Sequence, residues 1–147
     1  MDSDRTAVLI DGVEHYPHSR GGGLVAVTAT VAPTVYVGKN ARVSGEAQVL
    51  DRCRVVGDAV VSGRAILRDR TRVGGNAKVF DQAELSDGAW VGDNAQVFNQ
   101  ARMSGGSKAM GDAKVYNSAR LANKAAVRGK GRAFGMMSLG GTQAIGG

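Results

Sequence analysis

Residues 91–102 read Val-Gly-Asp-Asn-Ala-Gln-Val-Phe-Asn-Gln-Ala-Arg, two hexads in which the same kinds of residue return at the same places. Val91 and Val97 open the hexads, Asp93 and Asn99 stand third, and Ala95 and Ala101 stand fifth. Stepping by six in both directions extends all three rows. From Val25 to Val127 position one is always apolar, valine giving way only to Leu67, Leu85, Met103, Ala109 and Leu121. Position five from Ala29 to Gly131 is alanine except at Val35, Cys53, Thr71, Ser107 and Gly131. Position three from Gly45 to Gly141 holds only Gly, Asp or Asn, the types that best tolerate a left-handed backbone.

The spacing excludes a helix, because a period of six sets successive valines on opposed faces of a 3.6-residue turn. Positions five and one are two apart, so in an extended segment both point inward and position six points out. Each hexad is then a very short strand followed by a corner. Three such sides close a triangular coil, and coils stack as parallel strands about 4.8 Å apart. The expected fold class is all-β, a single-stranded parallel β-helix of about six coils over residues 25–135. Residues 1–24 form an N-terminal cap and joint: a hairpin over 6–16 turning at Asp11-Gly12, then Ser19-Arg20-Gly21-Gly22-Gly23. Residues 136–147 form a last partial coil or a docking tail, since Met137 and Gln143 interrupt the small row while Leu139 and Ile145 keep the aliphatic one.

Composition agrees with a thin core. The 147 residues include 22 glycines and two prolines, and aromatics make up 5%. The formal charge of +6 favours solubility and polyanionic partners. A lone Cys53 rules out an intrachain disulfide and suits a reducing compartment. The leader Met-Asp-Ser-Asp-Arg-Thr-Ala-Val-Leu-Ile-Asp-Gly has no signal-peptide core, and no apolar run approaches the roughly 20 residues of a membrane span. The expected location is the cytoplasm or a virion, without membrane insertion.

The hexads Val91-Gly92-Asp93-Asn94-Ala95-Gln96 and Val37-Gly38-Lys39-Asn40-Ala41-Arg42 resemble the hexapeptide-repeat family over residues 25–135. That resemblance implies a left-handed coil, against the usual right-handed crossover. The family is best known for acyltransferases, whose general base is a histidine served by an inserted loop. Here His15 and His18 both precede the first hexad, and no loop interrupts residues 25–127. The related gamma-type carbonic anhydrases bind zinc through three histidines, a set that two histidines and Cys53 do not reproduce. The expectation is therefore a non-catalytic protein without metal or cofactor, with an acyltransferase of divergent site, its groups drawn from subunit boundaries, as the weaker alternative. His15 and His18 read as parts of a polar strand and loop, Cys53 as a slightly large alanine, and Asp51, Asp69, Asp81, Asp87 and Asp93 as corner residues. Uninterrupted repeats of this type resemble proteins of phage and prophage genomes, which implies a virion, appendage or scaffold component.

The outward positions carry the candidate sites. Position six holds Arg42, Arg54, Arg72, Lys78, Arg102, Lys108, Lys114, Arg120 and Arg132 against one acid, Glu84. These nine cations are the candidate surface for a polyanion such as nucleic acid or an acidic polysaccharide. At position two, Phe80, Phe98, Tyr116 and Phe134 are spaced by 18 residues and should form a ladder up one face. Lys78, Gln96, Lys114 and Arg132 line the same face. The ladder is the candidate contact for a homotrimer or higher assembly, with a stacking platform for sugars or bases as the alternative. Trp90 and Tyr36 fall on a different side and read as isolated surface aromatics.

Overall fold

The structure is a computed structural model that describes residues 7–146. Thr6, where the hairpin reading begins, the charged leader before it, and Gly147 lie outside the described residues. The chain opens with β1 (Val8–Ile10) and β2 (Val13–Pro17), an antiparallel hairpin in the register Val8↔His15, Leu9↔Glu14, Ile10↔Val13. Its two turn residues both have positive φ, 52° at Asp11 and 78° at Gly12, the twist a two-residue hairpin requires. β2 then pairs antiparallel with β3 (Leu24–Ala26), the first strand of the solenoid.

From β3 onward strands recur every six residues, and each pairs in parallel with the strand 18 residues away. The result is three flat faces, a left-handed parallel β-helix. Face A continues from β3 through the strands beginning at Arg42, Val60, Lys78, Gln96, Lys114 and Arg132. Face B runs from β4 (Thr30–Val31) to Ser138–Leu139, and face C from β5 (Tyr36–Val37) to Ala144–Ile145; each has seven strands. Seven coils are therefore built where the side-chain pattern predicts about six. The seventh persists because its pairing is main-chain: Arg120 N donates to Met137 O, Ala122 N to Leu139 O and Ala126 N to Gln143 O, all at 2.9 Å. Gln143 is exposed, and its side-chain oxygen accepts from Gly140 N, so the interrupted small row does not stop the coil.

The interior is the two apolar rows. Val43, Val61, Leu67, Val79, Leu85, Val97 and Leu121 are fully buried beside the small row of Ala47, Ala59, Ala77, Ala95 and Ala113. Position three supplies the corners, with φ between 54° and 60° at Asp51, Asp69, Asp81, Asp87, Asp93, Asn99, Asn117 and Asn123. These side chains also bond along the axis. Asp81 Oδ2 accepts from the main-chain N and the Nδ2 of Asn99, Asn99 Oδ1 accepts from the same two groups of Asn117, and Asn117 Oδ1 accepts from Gly135 N. The corner aspartates thus serve the turn, and part of the row also forms a polar spine.

The N-terminal edge is covered on two of the three faces, and on face B β4 is the edge strand. β2 occupies the edge on face A. On face C the glycine run closes into a bonded loop: Gly22 N donates to His18 O, Gly23 N to Val37 O, and Val37 N to Arg20 O. A Cβ on Gly21, at φ 100°, would collide with Val37 O, so only glycine fits that approach. No helix among the described residues is long and apolar enough to cross a membrane.

Candidate functional site

The four ladder aromatics share face A, each one residue beyond a strand. Because coils repeat in strict 18-residue register, the rings stack in one column with nearly parallel planes, at centroid separations within the range aromatic pairs favour. Ring centroids lie 4.9 Å apart for Phe80–Phe98, 5.1 Å for Phe98–Tyr116 and 5.8 Å for Tyr116–Phe134, with interplanar angles of 2°, 3° and 18°. Phe98 and Tyr116 therefore have both faces occupied and present only their edges. A sugar or base has no ring face to stack on at those two positions, and the stacking-platform alternative loses its surface there. Phe80, Phe98 and Tyr116 are half-buried, while Phe134 is 47% exposed. Lys78, Gln96, Lys114 and Arg132 form the parallel column beside the rings.

The nine position-six cations do not converge on one surface. Arg42, Lys78, Lys114 and Arg132 stand on face A, Arg102 and Arg120 on face B, and Arg54, Arg72 and Lys108 on face C. Face B is partly neutralised, since Glu84 is the register partner of Arg102 and lies 3.9 Å from Arg68. Face C differs from the expectation for its aromatics. Tyr36 and Trp90 are not isolated: Arg54 sits 5.1 Å from the Tyr36 ring centroid, and Trp90 lies between Arg72 at 6.0 Å and Lys108 at 5.3 Å. Stacking on a ring covers one face of a guanidinium and leaves its N–H edges free. Arg52 and Arg70, position-four residues 18 apart, add a second basic column at the corner leading onto face C. Position six alone did not reveal it; the 18-residue step applied to position four would have.

A depression of about 730 Å³ follows the corner between faces A and B, lined by Arg64, Asp81, Gln82, Asn99, Gln100 and Asn117. Its amides bond to one another, Gln100 Nε2 donating to Gln82 Oε1 at 3.3 Å, so much of its polar capacity is spent within the spine.

His15 is buried, its Nδ1 bonded to Val13 O at 2.9 Å, and its Nε2 meets no hydrogen-bond partner. His18 Nε2 donates to Val35 O at 2.8 Å. Each ring is committed to a main-chain carbonyl, and among the described residues no group of three or more His, Cys, Asp or Glu could hold a metal ion. Burial pushes the Cys53 thiol up to about 11, with the Asp51 charge adding to the effect and main-chain hydrogen bonds opposing it. A thiol so raised is almost wholly protonated at neutral pH and is a poor nucleophile.

Comparison with protein-family models, curated protein sequences and solved structures found no match to the chain.

Proposed function

We propose that this protein is a non-catalytic structural module of the hexapeptide-repeat kind, which assembles side by side with copies of itself through face A. The observation that supports the reading best is the aromatic ladder. Four rings in a straight row present their edges outward over three coil steps, beside a column of cations. Such a row is a poor surface to leave in water and a good one to bury against an identical row. Cover on faces A and C of the N-terminal edge favours lateral over head-to-tail association, because a second copy stacking there would have to displace β2 and the glycine loop. A homotrimer with its three ladders inward satisfies these features, and the resemblance to uninterrupted phage and prophage repeats suits a virion, appendage or scaffold component. Function in such a part lies in stiffness and repetition: each face offers the same type of group once per coil.

Light scattering at two salt concentrations tests this. The wild-type chain is expected to have a salt-resistant trimer mass, and Phe98→Ser with Tyr116→Ser to give a monomer with an unchanged β-sheet circular dichroism spectrum. A mass unaltered by the double substitution would remove face A as the interface.

A further inference from the structure

The N-terminal half of face C carries a second feature, independent of how copies associate. Arg54 and Arg72 are register partners on adjacent coils. Like charges directly opposite in a sheet destabilise it, so this arrangement is costly unless something relieves it. No carboxylate among the described residues does. Arg20, Arg52, Arg54, Arg70 and Arg72 make no ion pair among the described residues. Of the carboxylates in the adjoining corner column, Asp51 Oδ2 accepts from Asp69 N, Asp69 lies 3.9 Å from Arg68, the residue that also approaches Glu84, and Asp87 makes no ion pair with these arginines.

Three further observations point to a ligand. Arg20, Arg52 and Arg54 line one open depression of about 540 Å³ together with Tyr36. Tyr36 and Trp90 support the Arg54 and Arg72 guanidiniums from outside the pair. Arg70 has φ 64° and is the one residue at positive φ among those described that is not Gly, Asp or Asn. Keeping an arginine in a backbone conformation it resists is strain held at one spot, and that spot is this cluster.

We propose that this face binds a chain of linked phosphate groups, gripped by forked guanidinium–phosphate hydrogen bonds from Arg54 and Arg72 and by Arg20, Arg52 and Arg70 at its margin. Guanidinium edges match phosphate oxygens two at a time, which a lysine cannot do. Linked phosphates reach both coils at once, so the second contact is intramolecular once the first has formed. Recognition of nucleobases is not part of the site. Trp90 is flanked by cations on both sides, and Tyr36 lies between Arg54 and Gly21, where even a Cβ would come within 3.1 Å of the ring.

Inorganic triphosphate is the probe, titrated by calorimetry and by fluorescence of Trp90, the single tryptophan of the chain. Triphosphate is expected to bind at least about ten-fold tighter than orthophosphate at equal ionic strength. Arg54→Gln with Arg72→Gln should weaken it by about ten-fold or more, and Arg54→Lys with Arg72→Lys, at unchanged charge, by several-fold. Arg102→Gln with Arg120→Gln, an equal charge loss on face B, should leave affinity within about two-fold, because exposed charges beyond a Debye length are screened. Absence of saturable binding, no preference over orthophosphate, or equal loss from the face B pair would overturn the proposal. The face A substitutions Phe98→Ser and Tyr116→Ser leave these arginines in place, so failure of the assembly reading and failure of this one are separately visible.

Discussion

Replacing Phe98 with alanine should cost more than replacing Phe80 with alanine, for a reason set by the column. Phe98 has a ring on either side, at 4.9 and 5.1 Å, whereas Phe80 is the end of the stack and has one. An aromatic pair contributes about 0.5–1.5 kcal/mol beyond buried area, so Phe98→Ala forfeits about 1–3 kcal/mol of stacking and Phe80→Ala about half of that. Both rings are half-buried, and each loses a further ~1 kcal/mol of burial, which cancels in the comparison. The expected difference is therefore about 1 kcal/mol, read from urea unfolding followed by circular dichroism with equal slopes for both variants. A double-mutant cycle between Phe98 and Tyr116 should return a coupling of about 0.5–1.5 kcal/mol. The measurement is repeated across protein concentration, since loss of a self-association contact grows with concentration and loss of an intramolecular stack does not. Equal costs for the two variants together with a coupling near zero would refute the reasoning, showing that the rings are merely aligned by the backbone.

Further outcomes follow from other residues. Asn99→Gly keeps the left-handed corner and loses only the spine, at about 1 kcal/mol, whereas Asn99→Ala also forces a Cβ-bearing residue to φ 58° and should cost about 1–2 kcal/mol more in thermal or urea unfolding. Arg70→Gly relieves φ 64°, so the melting temperature should rise, by about 1 kcal/mol in stability terms, while triphosphate binding weakens. Cys53 gives a pH signature. Its folded thiol is pushed from 9.0 up to about 11, so folding favours the protonated form: stability is intact below pH 9, declines between 9 and 11, and levels off above. The decline attributable to this group is about 3 kcal/mol, and Cys53→Ala should remove it from a pH series of urea midpoints. His15→Leu removes a buried ring nitrogen without a partner and should leave stability unchanged or raised in the same assay; a loss above about 2 kcal/mol would show that the imidazole is needed there.

The solenoid was legible from the rows because its contacts are between neighbours at one fixed step. Once position one is apolar and position five small, the 18-residue coil follows, and so does the proximity of Phe80 to Phe98 or of Arg54 to Arg72. What a period cannot state is how side chains use that proximity. The columnar stacking that takes up both faces of Phe98 and Tyr116, the support of Arg54 by Tyr36, the bonding of Asn99 to Asp81 and Asn117, and the strained φ of Arg70 all depend on rotamers and local backbone, which neighbouring coils select together. The ends were the least legible part, because there the repeat stops informing. The seventh coil survives on main-chain bonds blind to Met137 and Gln143, and the glycine run reads as a joint until Val37 is seen to bond to both ends of its loop. Sequence alone determined the coil, its register and which residues face outward, since these are consequences of periodicity. Tertiary structure alone decided which outward residues are already satisfied by one another and which, like the face C arginines, make no ion pair among the described residues, because that depends on where each side chain comes to rest among those of the adjacent coils.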